Sequence, residues 1–452
     1  MSEEGTNPPV RRYFLSNVGL AAPTRLMSSP SPVSTLSGVW LPMALFVLLG
    51  GCDGMDVYSG GGRIYAGGQS FGAAIALDGN VSMITASSSD EAFVLRRDGD
   101  RWASEAQLLP PSGVPDDERS GEGIVFGWAG DVEGSVAIVG APVLGAAARS
   151  IPGRAYVFEH RGGDWVRTAD LRASDPSLGR LFGRAVAVSK GRVAVAAGAA
   201  TTLVSEDLVE PAAVILYERL GESWAEVSRV EETEYERPTG LGGGSFFGSG
   251  LALNGDRLAV GSPGQDVGGV RGVGAIRVYQ WTGEAWALSD VLSPPALREN
   301  DEMGNVVALD GPVLAAGVSG RDVGGGIGGG SAFVFRNSGG GWTVEAELLP
   351  VGLTSRSIYG YSIAASGDRV AVGDVARAED RGSVFVWVRR PSGEWEMEAE
   401  LWPSGLGGGS AFGESVALEG DRLMVGAVGA GGAEGGAYEF QRGPDGWVQV
   451  GG

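Results

Sequence analysis

Residues 247–261 read Phe247-Gly248-Ser249-Gly250-Leu251-Ala252-Leu253-Asn254-Gly255-Asp256-Arg257-Leu258-Ala259-Val260-Gly261. A glycine-rich stretch then leads to Ala275-Ile276-Arg277-Val278-Tyr279-Gln280, a turn containing Gly283, and a last run carrying Trp286 and Leu292. The runs alternate as strands do and are punctuated as hairpins are. Asn254-Gly255-Asp256 is turn chemistry, because Asn, Asp and Gly tolerate the positive φ of tight hairpins. The stretch predicts four consecutive antiparallel strands.

The unit recurs along the chain. An aromatic-Gly pair, or a close variant, stands at Phe71-Gly72, Phe126-Gly127, Phe182-Gly183, Phe247-Gly248, Met303-Gly304, Tyr359-Gly360 and Phe412-Gly413, and successive glycines lie 55, 56, 65, 56, 56 and 53 residues apart. Trp102, Trp165, Trp224, Trp286, Trp342, Trp395 and Trp447 follow in step, so seven of the twelve tryptophans keep one phase. A four-stranded sheet cannot bury both faces alone, so the copies must stack, and radial stacking gives a propeller. No run has the periodicity and caps of a long helix, which argues against a helical solenoid. The expected fold is all-β, a seven-bladed β-propeller of four-stranded antiparallel blades over residues 63–452. Each glycine after an aromatic is expected to permit close backbone approach near the axis, and each repeated Trp to fill space between neighbouring blades. The last copy ends in a short strand over residues 447–450, with residues 55–58 as a candidate to supplement it.

These units resemble FG-GAP repeats, the family that forms the seven-bladed head of integrin α subunits. The second copy carries both halves of the name, Phe126-Gly127 and Gly140-Ala141-Pro142, and the fourth has Gly261-Ser262-Pro263. Others retain less, such as Gly373-Asp374 and Gly426-Ala427-Val428. For function the resemblance implies adhesion or interaction and no particular reaction. Many family members bind calcium through a D-x-D-x-D-G loop, whose closely spaced oxygens suit a hard cation. No such run occurs here. Asp98-Gly99-Asp100 is too short and reads as a hairpin turn before Trp102, so calcium is not carried over and no cofactor is expected.

Composition narrows the function classes. Gly makes up 79 of 452 residues, far above the usual roughly 7%, yet a hydrophobic share of 43% and twelve Trp oppose a disordered or collagen-like chain. A formal charge of -21 repels phosphate backbones and anionic head groups, which excludes nucleic acid and charge-driven adsorption to a membrane. One cysteine, Cys52, permits no internal disulfide and no thiolate zinc site. One histidine, His160, permits no multi-histidine metal site, and its place before Trp165 reads as a surface turn.

The run Val39-Trp40-Leu41-Pro42-Met43-Ala44-Leu45-Phe46-Val47-Leu48-Leu49 follows Arg11, Arg12 and Arg25 at a distance. It is short and Pro-interrupted against the about 20 apolar residues of a membrane span, and reads as the apolar core of an export signal. Leu49-Gly50-Gly51-Cys52 resembles the bacterial lipobox, which implies lipidation of Cys52 and cleavage before it. The division is therefore an export signal over residues 1–51, a short tether over 52–62 and the propeller over 63–452. The implied location is the bacterial envelope, on a membrane leaflet left open, with secretion as the alternative.

Antiparallel connectivity sends alternate loops to opposite faces. Turns after first and third strands, such as Asp78-Gly79-Asn80 and Ser392-Gly393-Glu394, are short and uniform. Connections between second and third strands (142–153, 201–211, 264–274, 320–330) and between blades (110–125, 231–245, 294–302) are long and varied, the usual place for binding. Carboxylates gather there, and Asp116, Asp117, Glu118, Glu122, Glu232, Glu234, Asp266, Asp301 and Asp322 are the candidate ligand face. Asp266 and Asp322 stand alike in Gln265-Asp266-Val267-Gly268-Gly269 and Arg321-Asp322-Val323-Gly324-Gly325, which suggests a shared aspartate-capped turn. The function expected is a monomeric, lipid-anchored interaction or adhesion module whose partner is an envelope protein or glycan and whose only membrane contact is the lipid. Two alternatives stay open: a propeller-based glycan hydrolase or lyase using loop carboxylates, and a structural subunit of an envelope assembly. No nucleophile elbow, metal-protease helix or phosphate loop is present.

Overall fold

The computed structural model describes residues 58–60, 63–65, 70–111, 124–144, 151–179, 181–198, 212–232, 244–323, 328–431 and 434–450, so the export signal and Cys52 lie outside the described residues. Phe71–Asp78, Val81–Ala86, Glu91–Asp98 and Arg101–Leu108 form the first antiparallel sheet, in chain order. Further four-stranded sheets begin with Ala129–Glu133, Val186–Ser189 and Leu251–Asn254 and repeat that order. From Val307–Asp310 to Trp395–Leu401, two antiparallel quartets are joined by the parallel pairs Gly329 with Ile358 and Gly330 with Tyr359. The molecule is an all-β propeller of four-stranded antiparallel sheets. A register shift recurs between third and fourth strands, at Val94/Leu95, Leu216/Tyr217, Val278/Tyr279, Val334/Phe335 and Val386/Trp387, and such bulges strengthen local twist.

The final sheet contains Phe412–Glu419, Arg422–Ala427, Ala437–Gly443 and Gly446–Gln449. Its last strand pairs only from Phe440 onward, which leaves the backbone of Ala437 and Tyr438 open on that edge. Arg63–Tyr65 fills the place, Ile64 opposite Ala437 and Arg63 opposite Tyr438, and Tyr58–Gly60 pairs outside it. Residues 63–65 therefore supplement the shortened strand; of the expected 55–58, Tyr58 lies in the strand outside them and 55–57 lie outside the described residues.

The core lies between sheets. Phe71, Phe126, Phe182, Phe247, Met303, Tyr359 and Phe412 are all buried, and Phe126 packs on Tyr156 and Phe158 beside Met83 and Val94 of the preceding sheet. The glycine after each has φ between +82 and +100, a region that side chains avoid. At Gly183 an added Cβ would lie 2.1 Å from the Arg154 carbonyl oxygen of the preceding sheet. The reciprocal contact explains the second half of the repeat: a Cβ on Gly261 would lie 1.9 Å from the Gly304 carbonyl oxygen of the following sheet, and one on Gly426 would lie 2.1 Å from that of Gly72. The two dipeptide glycines thus face each other across one junction, and the last sheet meets the first in the same way.

A belt of hydrogen bonds runs along the short-turn face. The residue ending a first strand accepts from the turn amide of the next sheet: Asp78 from Gly134 at 2.5 Å, Glu133 from Lys190, Ser189 from Gly255 at 3.0 Å, Asp310 from Gly367 at 2.7 Å and Ser366 from Gly420 at 3.0 Å. Glu419 of the final sheet accepts from Gly79 of the first at 3.0 Å. The repeated tryptophans add a second set of ties. Trp165 donates to Glu105, Trp224 to Glu159, Trp395 to Glu345 and Trp447 to Glu398, each carboxylate belonging to the preceding sheet, at 2.9–3.2 Å. The expectation that they fill space between neighbours is met, with a directional bond added. His160 lies on the strand Arg154–Arg161, not in a turn, with its Nε2 3.4 Å from Glu105 and its ring against Trp165.

Candidate functional site

The predicted ligand-face residues do not converge among the described residues. Asp116, Asp117, Glu118, Glu122 and Glu234 lie outside the described residues. Asp301 is only 3% exposed; its Oδ2 accepts from the Arg298 amide at 2.8 Å and pairs with Arg321 at 3.0 Å. Glu232 accepts from the Ser245 hydroxyl and lies 3.5 Å from Arg277. Burial pushes its carboxyl above the usual range, against the opposing pull of Ser245 and Arg277. Asp266 is 8% exposed and accepts from the Gly272 amide at 2.9 Å, and Asp322, which is exposed, accepts from the Gly328 amide at 2.6 Å. Both bonds span six residues, so the two aspartates do share a turn. Each of these four described carboxylates is engaged within its own fold. Among the described residues no group of three His, Cys, Asp or Glu stands where a metal would need them.

A cavity of about 420 Å³ opens instead on the long-loop face. Three separate connections build it: residues 352–357 before the strand Ile358–Ser366, residues 376–381 between Arg369–Asp374 and Ser383–Arg389, and Glu400 with Trp402 at the end of Trp395–Leu401. Its charged lining is Arg356, Arg377, Arg381, Glu379 and Glu400, three positive against two negative groups. Arg377 is spent on Glu400, Nε to Oε1 at 2.6 Å and Nη2 to Oε2 at 3.4 Å, and donates to the Gly352 carbonyl at 3.0 Å. Arg381 stacks on the indole of Trp402 at 4.9 Å, a cation–π contact. Its Nε is buried without a hydrogen-bond acceptor. Arg356 is exposed and makes no ion pair with any described residue.

Backbone shape sets this geometry. Ala378, Glu379 and Asp380 have φ of 52, 62 and 62°, a left-handed turn that costs non-glycine residues roughly 1–2 kcal/mol each. The neighbouring connection holds it: the amides of Gly409, Ala411 and Phe412 donate to the carbonyls of Glu379, Asp380 and Arg381 at 3.2, 3.0 and 2.8 Å. The arrangement places three guanidinium groups near a partly exposed indole. Sequence reasoning passed over these residues because it followed the acidic loops. The available signal was Trp402, one of the five tryptophans outside the repeated phase.

Residues 395–440 match the FG-GAP repeat family, so this propeller carries an FG-GAP repeat, and the matched span contains Phe412-Gly413 and Gly426-Ala427. No curated protein sequence matches the chain. Among solved structures, a chain of a mitotic checkpoint complex is similar at 10% identity and a TM-score of 0.48, over 81% of this chain and 88% of that one. An ancestral GH74 enzyme is similar at 14% identity and a TM-score of 0.47, over 83% of this chain and 49% of that one.

Proposed function

We propose that this chain is a monomeric, lipid-anchored interaction module of the bacterial cell envelope, a ring of seven four-stranded blades held by Cys52 that binds a protein or glycan through its long-loop face. Seven phased copies of the unit, and the ties from the final sheet back to the first, support the blade number. The observation that carries the binding reading is the cavity on the long-loop face, lined in part by Trp402, 44% exposed, with Val351, 91% exposed, next in the chain to its Gly352. The opposite face is given over to short turns tied to one another. Glu400 is held at two points by Arg377, which suits a wall of a binding pocket better than a proton donor and favours binding over turnover.

Photo-crosslinkers at Val351 and at Ser392 test the face. A specific adduct on cells is expected from position 351 and none from the short turn at 392; equal labelling, or none, would remove the proposal. Labelling with radioactive palmitate is expected in the full chain and absent from Cys52→Ser.

A further inference from the structure

We propose that the long-loop face is turned toward the membrane that holds Cys52, and that its partner is a protein embedded in that membrane. This rests on the lipid-anchored reading and adds to it an orientation and a class of partner. The path of the chain start carries it. Ala437–Gly443 begins at the long-loop end, after the connection from Arg422–Ala427, and runs toward the short turn before Gly446–Gln449. Arg63–Tyr65 lies antiparallel to it, Arg63 opposite Tyr438 and Ile64 opposite Ala437, which puts Tyr65 at the long-loop end. Tyr58–Gly60 is antiparallel in turn, with Tyr58 opposite Tyr65 and Gly60 opposite Arg63. The polypeptide therefore enters the last sheet from the long-loop end of its outer edge.

Reach then decides the orientation. Cys52 stands six residues before Tyr58, and a fully extended segment of that length spans only about 20 Å. Tyr65, beside Tyr58, lies one residue beyond Ala437, so seven residue steps separate that level from Gly443. At 3.3 Å per step this is about 23 Å, before the short turn itself is counted. The lipid of Cys52 lies in the bilayer, so the short turns cannot rest on the bilayer surface, whereas the long connections can. Charge selects the occupant of that side. A formal charge of -21 is repelled by anionic head groups, which opposes seating the face on bare lipid, while the extramembrane segments of an embedded protein carry no such penalty. A soluble partner approaching from outside meets the other face first, where the short turns are tied to one another.

The test is energy transfer from the full lipidated chain, in vesicles of zwitterionic lipid, to an acceptor dye at the bilayer surface. The donor dye is carried at Val351→Cys or at Ser392→Cys, both exposed positions, with the thiol of Cys52 blocked by its lipid. The donor at 392 is expected to lie about 20 Å farther from the bilayer than the donor at 351, one strand length. Inserting about 20 Gly and Ser residues after Asp53 gives a tether of roughly 25 Å root-mean-square reach and is expected to erase the difference. On cells, the molecule crosslinked at 351 is expected to be a protein with membrane spans. Equal distances, or a nearer 392, would overturn the orientation, and a difference that survives the long tether would overturn its cause. A phospholipid, glycan or soluble protein as the adduct would overturn the class of partner. Absence of palmitate from the full chain would instead remove the anchor itself, and so is told apart from a lipidated chain that sits the other way up.

Discussion

Glu345 collects three donors where two sheets meet: Trp395 Nε1 at 3.0 Å, Arg389 Nε at 2.7 Å and Arg336 Nε at 2.9 Å. Partial burial pushes its carboxyl upward, but the bonds from Trp395, Arg389 and Arg336 outweigh it and the pKa falls below the ordinary 4.5. Glu398 is depressed in the same way, by Trp447, Arg369 and Arg442 acting against burial. A carboxyl depressed in the folded state binds fewer protons than in the unfolded chain. Its stabilisation is therefore complete above the unfolded value near 4.5 and is lost as pH falls through the folded one. Thermal midpoints should drop steeply in acid, and Glu345→Gln should flatten that part of the profile. Trp395→Phe keeps the ring and loses the indole donor, and denaturant titration should show a loss of about 1 kcal/mol. The tryptophans were legible because their phase is strict. Of their carboxylate partners, Glu105, Glu345 and Glu398 stand three residues after Trp102, Trp342 and Trp395 on fourth strands, a spacing that says nothing of which neighbour it faces, and Glu159 on a third strand departs from it.

Hairpins and connections obey different rules. Short turns such as that at Gly255 could be read directly, since the positive φ demanded there selects Asn, Asp and Gly. The shared turn of Asp266 and Asp322 was also readable, from repetition alone. What the pattern hides is burial. Asp266 is covered and bonds Gly272, while Asp322 makes its bond to Gly328 in contact with water. Asp266→Ala should therefore cost about 1–2 kcal/mol and Asp322→Ala less than about 0.5 kcal/mol, as measured by equilibrium unfolding. The cavity was the least legible feature. Its walls come from stretches tens of residues apart, and its left-handed turn is made by Ala378, Glu379 and Asp380, residues whose side chains give no notice of such a backbone.

At the scale of the whole molecule, the test of closure is to compare junctions. Gly261→Ala forces a methyl into the Gly304 carbonyl within the chain's interior, and Gly426→Ala does the same to Gly72, where the end meets the beginning. In a continuous ring both should destabilise by roughly 2–3 kcal/mol; an unchanged melting temperature for Gly426→Ala would mean that the final junction bears no load. Fold class was legible in the sequence because one packing problem is solved repeatedly, whereas the strand that completes the last sheet was placed only to within a few residues, since 63–65 carries no phase signal of its own. The bonds of Glu419 to Gly79 and of Arg422 and Ser415 to Gly79 and Gly72 join residues 340 and 343 positions apart. During synthesis these contacts wait for almost the entire polypeptide to leave the ribosome, and until then the first and most recent sheets each keep an apolar flank open to water. A prematurely terminated product would accordingly not be a smaller version of the native molecule but a sticky arc, prone to self-association and dependent on holdase chaperones.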